Sequence, residues 1–324
     1  MKHWTGKPGY PRVHIQKRGG KVKLLQDRFY SSVVLQRKNK DKTIWPIPIN
    51  ILTPTSTAPQ YFLFNRRSQI LPAKIAQDAF IKINARETSF MRTDYGSYLL
   101  TLEASIQAKN KSLRSTDRFG IIRDAFAMSE AGFLSTEKAL QLSLSYQTEE
   151  SFIVWLEIAS NLLRIGNLIA DQKYYDSYCA YVRRVFKKIG RHLGWNKKKN
   201  ESHINTLLRS TVLYMLGKHQ DALIINHARK LFKDENIKGI KIEPDLRGVI
   251  YDLVAENGGA REYRIFLSKL KKETLEEERD RLLRAMSLVR DRRLLKKTLD
   301  LAFSKDAHGQ DALKAINFVF ANRF

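Results

Sequence analysis

Seven histidines offer the first test of chemistry in this chain: His3, His14, His192, His203, His219, His227 and His308. None has another histidine four positions on, so no helix presents two imidazoles one turn apart to a metal. The H-E-x-x-H pattern, which adds a glutamate as general base, is absent from all 324 residues. The single cysteine lies in Tyr178-Cys-Ala-Tyr181, the pattern of a packed helix face; a nucleophilic Cys179 would need a histidine brought close in space. Asp117-Arg118 with Asp124 is read as structural, Asp117 capping or entering a helix where the macrodipole favours an anion. Two arginines stand on otherwise apolar helical stretches, Arg209 in Leu207-Leu-Arg-Ser210 and Arg247 in Asp245-Leu-Arg-Gly248. An inward guanidinium grips a carboxylate in a bidentate fork. The competing reading is an ion pair within the chain, with a carboxylate such as Asp221 or Asp245. No catalytic residue and no metal ligand is expected.

The elements that must position these residues change character along the chain. From Tyr10 to about Lys82 the pattern reads as strands. Arg12-Val-His-Ile-Gln16 alternates, and Lys21 to Gln26 follows a Gly19-Gly20 hairpin turn. Arg28 to Leu35, Thr43 to Thr53, Tyr61 to Phe64 and Ala79 to Asn84 complete six candidate strands. Pro46 and Pro48 place the fourth at an edge or bulge. A small antiparallel β-sandwich over residues 10–86 is expected. After Tyr95 the apolar period is helical to the end. Leu99, Leu102 and Ile106 share a face, Ser115 offers a cap, and Ser135 opens another helix. Later helices are expected over 173–192, 202–216, 219–233, 245–257, 259–271, 274–288, 291–302 and 307–321. Consecutive helices with short connections predict an α-solenoid of HEAT/armadillo-like hairpins with a concave face over 87–324. The fold class is mixed, mainly α.

Hydrophobic residues make up 43% of the chain, enough for sizeable cores, and the net charge is +25. The cations are spread along the chain and no nucleic-acid motif accompanies them, so solvated helical faces are the expected reading. One cysteine, no apolar run at the N-terminus and no stretch of 18 apolar residues predict a soluble, cytoplasmic protein without a membrane partner.

Several segments, in order, resemble the thermolysin-like zinc aminopeptidases of the alanyl, puromycin-sensitive and tricorn-interacting kind. These are Trp4-Thr-Gly-Lys-Pro-Gly-Tyr-Pro-Arg-Val13, Leu25-Gln-Asp-Arg-Phe29, Trp45-Pro-Ile-Pro-Ile49 and Lys82-Ile-Asn84 with Ser89-Phe-Met-Arg92. Asp117-Arg118, Asp124-Ala-Phe126, Glu149 to Trp155, Pro244 to Tyr251, Gly258-Gly259 and Gln310-Asp311 continue the match. Ser89 stands where the family usually has glycine, and His308 where it more often has arginine. The resemblance implies that residues 1–9 end a catalytic-domain helix or linker, followed by the β-sandwich and a helical domain expected to be truncated.

It also implies that zinc, its ligands and the exopeptidase loop belong to a catalytic domain, with no cofactor held by this chain. Peptide substrates are then partners only alongside that domain, supplied by the same or a separate chain. Arg209 and Arg247 become candidates for a peptide's C-terminal carboxylate. The expected function is a non-catalytic C-terminal region that encloses the peptide chamber and regulates access, with no proteolysis by itself. The alternative is a catalytically dead, aminopeptidase-like scaffold binding nucleic acid or protein partners.

Overall fold

The computed structural model describes residues 2–18, 21–56, 58–71, 79–304 and 309–322. The Gly19-Gly20 turn and His308 lie outside the described residues. The chain divides into two compact units, Met1–Asn161 and Leu162–Phe324. It is mainly helical, with two small sheets.

The first unit opens with a short helix, α1 (Lys2–Thr5), and a hairpin of β1 (Pro11–Arg18) and β2 (Lys21–Arg28). A short α2 (Val33–Arg37) follows, then β3 (Ile47–Leu52), β4 (Gln60–Phe64), β5 (Ser68–Ile70), β6 (Lys82–Ile83) and β7 (Arg92–Asp94). The sheets are ordered β5-β2-β1-β7 and β4-β3-β6. Alternation on β1 buries Val13 and Ile15, and on β2 Val22 and Leu24.

Three expectations need correction. The expected strand Arg28–Leu35 is not formed: Arg28 ends β2, Ser32 accepts the Leu35 N–H, and this N-cap starts α2 instead. The pairing is not purely antiparallel, because β7 joins β1 in parallel. Finally, β3 is the central strand of its sheet despite Pro48. The proline is tolerated because β6 reaches only Ile51 and Leu52, leaving Pro48 a ladder partner on one side, Leu63.

Three helices complete this unit, α3 (Leu99–Gln107), α4 (Ser115–Glu130) and α5 (Thr136–Leu144). A buried charge network ties β6 to α4. Lys82 is fully enclosed; its Nζ donates to the Ile83 and Asn84 carbonyls at 2.8 and 3.1 Å and to Glu87 Oε1 at 2.6 Å. Burial alone would lower the Lys82 pKa, but Tyr95, Glu87 and Asp124 outweigh it and hold the value above the ordinary one. Glu87 also accepts from Arg123 at 2.6 Å, Arg123 bonds Asp124, and Asp124 accepts the Thr93 N–H at 2.9 Å. Asp117 accepts the Arg114 and Arg86 backbone N–H groups, so it does serve the start of α4, and it also pairs with the Arg86 side chain. Between these anchors Asn84, Arg86 and Glu87 all have positive φ, of 55°, 65° and 55°. L-residues avoid that region, and each costs on the order of 1 kcal/mol.

The helix α6 (Phe152–Leu168) runs across the division between the units. The second unit continues with α7 (Tyr175–Leu193), α8 (His203–Lys218), α9 (Ala222–Lys238) and α10 (Pro244–Asn257). It ends with α11 (Ala260–Leu270), α12 (Glu276–Met286), α13 (Arg292–Ala302) and α14 (Gly309–Phe320). Local chemistry sets the boundaries. Ser202, Asp221 and Asp291 cap α8, α9 and α13 with their side chains, Pro244 opens α10, and α9 ends at Gly239 in the left-handed region. Each odd-numbered helix from α7 packs against the even-numbered one after it, while α8, α10, α12 and α14 pack against one another in series. Tyr251, Leu253, Phe266, Leu283 and Met286 lie at the centre of this core. At Gly217 an added Cβ would meet Leu253 Cδ1 at 2.4 Å, so the absent side chain is what lets α8 and α10 approach.

Gly120→Ala tests the network of the first unit. Its Cβ would lie 1.8 Å from Glu87 Oε1, a carboxylate already pinned by Lys82 and Arg123. Urea unfolding should show a loss of about 1–3 kcal/mol, whereas an unchanged midpoint would mean that Glu87 moves freely.

Candidate functional site

Arg209 lies on α8 with 1% of its surface exposed. Helical side chains point toward their own N-terminus, and this one reaches the connection before α8. Its Nη2 donates to the Glu201 carboxylate at 2.6 and 2.7 Å, and its Nε to the Gly194 carbonyl at 3.2 Å. Hydrogen bonding from Arg209 lowers the Glu201 pKa despite the opposing effect of desolvation. The partner is therefore neither Asp221, which caps α9, nor Asp245, whose carbonyl accepts from Ser210.

Arg247, on α10, is more open, with 26% of its side chain exposed. Its Nε donates to the Ile242 carbonyl at 3.3 Å and its Nη1 to Glu278 of α12 at 2.9 Å. Nη2 makes no hydrogen bond among the described residues, so one edge of the guanidinium is unspent. Arg209 and Arg247 do not share a partner: one holds the connection before α8, the other bridges α10 and α12.

The described histidines sit in separate surroundings. His219 is buried with Nδ1 2.8 Å from the Met215 carbonyl, His227 lies tilted against Trp195 with ring centroids 4.5 Å apart, and burial, then Arg12, lowers the pKa of His14. Cys179 is buried. One trio of acidic groups is close enough to share a cation among the described residues, Glu276, Asp280 and Asp311. Its donors are all oxygen, and the Lys314 ammonium bridges two of them, at 2.7 Å from Glu276 and 2.6 Å from Asp280. These residues do not fit a catalytic zinc, which takes histidine nitrogen among its ligands.

A buried cluster that sequence reasoning missed spans α8, α10 and α12. Asp252 and Glu256 lie one turn apart on α10, facing Tyr214 and Lys218 of α8, Arg284 of α12 and Arg290. Lys218 binds both Glu256 oxygens at 3.0 Å, and Arg284 reaches Asp252 Oδ2 at 2.9 Å. Asp252 Oδ1 is buried without a hydrogen bond. Burial, with Glu256 nearby, pushes the Asp252 carboxyl up to about 7, although Arg284 and Lys218 oppose it. The Tyr214 phenol is pushed up to about 12 by burial and the two carboxylates. The i, i+4 spacing on α10 was visible, but the residues that enclose it lie on other helices, far away in sequence.

The family model of the ERAP1-like C-terminal domain matches residues 80–323. The chain belongs to this family. Among curated relatives, glutamyl aminopeptidase of Rattus norvegicus is 29% identical over 335 residues, covering 100% of this chain and 35% of the relative. Aminopeptidase M1-A of Oryza sativa subsp. japonica is 27% identical over 327 residues, covering 97% and 36%. The human glutamyl aminopeptidase is 27% identical over 337 residues, covering 100% and 34%. The chain thus spans about a third of the length of the curated relatives it matches, and corresponds to the C-terminal part of an M1 aminopeptidase. No described helix of this aminopeptidase region is long and apolar enough to cross a membrane.

The raised Asp252 pKa makes stability depend on pH with a definite sign. In the unfolded chain the carboxyl releases its proton near its ordinary value, while the folded chain holds it to about 7. Between those values the folded state binds more protons, so stability falls as pH rises and the loss is complete above about 7. Asp252→Asn should remove that slope and raise Tm at pH 8 by about 2–4 °C, with no gain at pH 4. Parallel melting curves for both proteins across this range would contradict it.

Proposed function

We propose that this region is the non-catalytic part of an aminopeptidase, a curved wall of stacked helical hairpins that encloses a peptide chamber and regulates access to it. The packing order carries the reading. The even-numbered helices contact each other in series and each has an odd-numbered partner behind it, the arrangement expected of an α-solenoid of HEAT/armadillo-like hairpins, one layer of which would line a concave face. Supporting it, the sequence contains no H-E-x-x-H, and among the described residues His14, His219 and His227 lie in unrelated surroundings. The zinc, the general base and the groups that hold a substrate's amine would come from a catalytic domain, in the same or another chain. That domain would supply a zinc-activated water; this chain would orient and confine the peptide.

Of the two candidate arginines, Arg247 is the one proposed to meet a peptide. Its spare Nη2 and partial exposure suit a C-terminal carboxylate, and Glu278 fixes the direction of the fork. Arg209, enclosed with Glu201, would act indirectly by holding the connection between α7 and α8. The cytoplasm remains the proposed compartment.

Two measurements test this. The purified chain should release no chromogenic amine from aminoacyl substrates with or without zinc; chelator-sensitive release would end the non-catalytic reading. In fluorescence anisotropy, Arg247→Ala should weaken a peptide with a free C-terminal carboxylate about tenfold or more and leave its C-terminal amide unaffected. Arg209→Ala should instead cost about 3–5 kcal/mol of stability, because Glu201 would keep only the Lys198 N–H and the Leu193 and Gly194 carbonyls would lose their buried donor.

A further inference from the structure

The cations of the second unit are not evenly matched with carboxylates, and unpaired ones occur also on α9, α11 and α13, but only α7 and its connection gather eight of them with no acidic residue between. On the serially packed helices they are matched: Lys218 with Glu256, Arg247 with Glu278, Arg279 with Asp311, Arg284 with Asp252, and Lys314 with Glu276 and Asp280. On α7 and the connection after it they are not. Between Asp176 and Glu201 the sequence has eight Lys and Arg and no acidic residue. Arg184, Lys187, Lys188 and Arg191 are exposed at i, i+3, i+4 and i+7, one stripe along the solvent face of α7. The opposite face, with Val182, Val185, Phe186 and Ile189, is buried.

The connection extends this stripe. Lys198 Nζ donates to the His192 carbonyl at 2.8 Å, folding the segment back on the helix end, and its neighbours Lys197 and Lys199 are exposed. No carboxylate among the described residues pairs with any of these six side chains. The helix dipole accounts for cations in the last turn only, so it explains Arg191 but not Arg184, Lys187 and Lys188. Four unneutralised charges along the exposed face of α7 and two on the connection after it create a field that suits an anionic partner with regularly spaced charge.

We propose that the α7 face and the 194–200 connection bind the phosphate backbone of duplex nucleic acid without regard to sequence. The alternatives fit less well. A bilayer would be met without apolar anchors, because the exposed part of α7 beside the stripe offers only Ala180, and the apolar face is locked in the core. A single strand would want exposed aromatic platforms, and Trp195 is half-buried with its ring 4.5 Å from that of His227. A duplex carries about one charge per 1.7 Å of axis and needs only phosphate contacts from arginine and lysine. This inference is independent of the peptide-chamber reading and can fail without it.

The experiment uses the full chain and a fluorescent 20-base-pair duplex of arbitrary sequence, titrated between 50 and 200 mM salt. Binding should weaken with a steep, linear log–log slope and should not change when the sequence is scrambled. The triple reversal Lys187→Glu, Lys188→Glu, Arg191→Glu should cost tenfold or more at 50 mM salt and flatten the slope by about 3. The control reversal Lys38→Glu, Lys40→Glu, Lys42→Glu changes the net charge equally at exposed positions of the first unit and should bind nearly as well as wild type. Circular dichroism checks that both variants keep their helices. Equal losses in the two variants, no duplex binding at 50 mM salt, or tighter binding to phosphatidylserine vesicles or polyglutamate would each overturn the proposal.

Discussion

The Lys82 ammonium is the constraint on which the junction between sheet and helix in the first unit depends. It is wholly buried, and a buried charge is tolerated only when its donors are satisfied. Here two backbone carbonyls and Glu87 satisfy them, and that requirement dictates the path of the chain. For Asn84 to turn its carbonyl toward Nζ, the backbone enters the left-handed region, and it returns there at Arg86 and Glu87. Asp117 holds the Arg86 end of this turn from α4, and Gly120, one turn further along, leaves room for the Glu87 side chain. A strand, a strained turn and a helix start are thus tied together, by Lys82 at one end of the turn and by Asp117 at the other.

In the second unit charges act between helices. Lys218 joins α8 to α10, Arg247 and Arg284 join α10 to α12, and Arg279 and Lys314 join α12 to α14. Apolar packing supplies most of the stability, while these pairs fix register, since a sliding helix would strand a buried carboxylate. Asp252 and Asp311 each leave one buried oxygen unbonded, and at Asp252 burial also opposes the charge.

Much of this was legible in the sequence where the signal is local. The helix starts at Ser135, Ser202, Asp221, Pro244 and Asp291 are set by capping side chains or by proline, within reach of a residue-by-residue reading. The segment Arg28–Leu35 was misread because its aromatic and β-branched residues favour a strand, whereas the Ser32 cap decides for a helix. Pro48 misled because the edge rule concerns hydrogen-bonding sides and not strand order. The candidate site was harder. That Arg209 would find a carboxylate could be weighed, but that it would be Glu201 depends on how α8 folds back beneath the end of α7. The enclosure of Asp252 depends on contacts with α8 and α12, which no spacing on α10 announces.

The ion pairs that link the serially packed helices also bear on how this half of the molecule yields under load. Most are partly open to solvent, so each joint is moderate in strength and sensitive to ionic strength. The joints differ in exposure: the Lys218–Glu256 pair is nearly enclosed, whereas Lys314 meets carboxylates that are themselves open to solvent. Added salt would therefore slacken the open Lys314 pairs first and the enclosed Lys218–Glu256 pair last, so the row would loosen unevenly, like a chain whose outer links give before the inner ones.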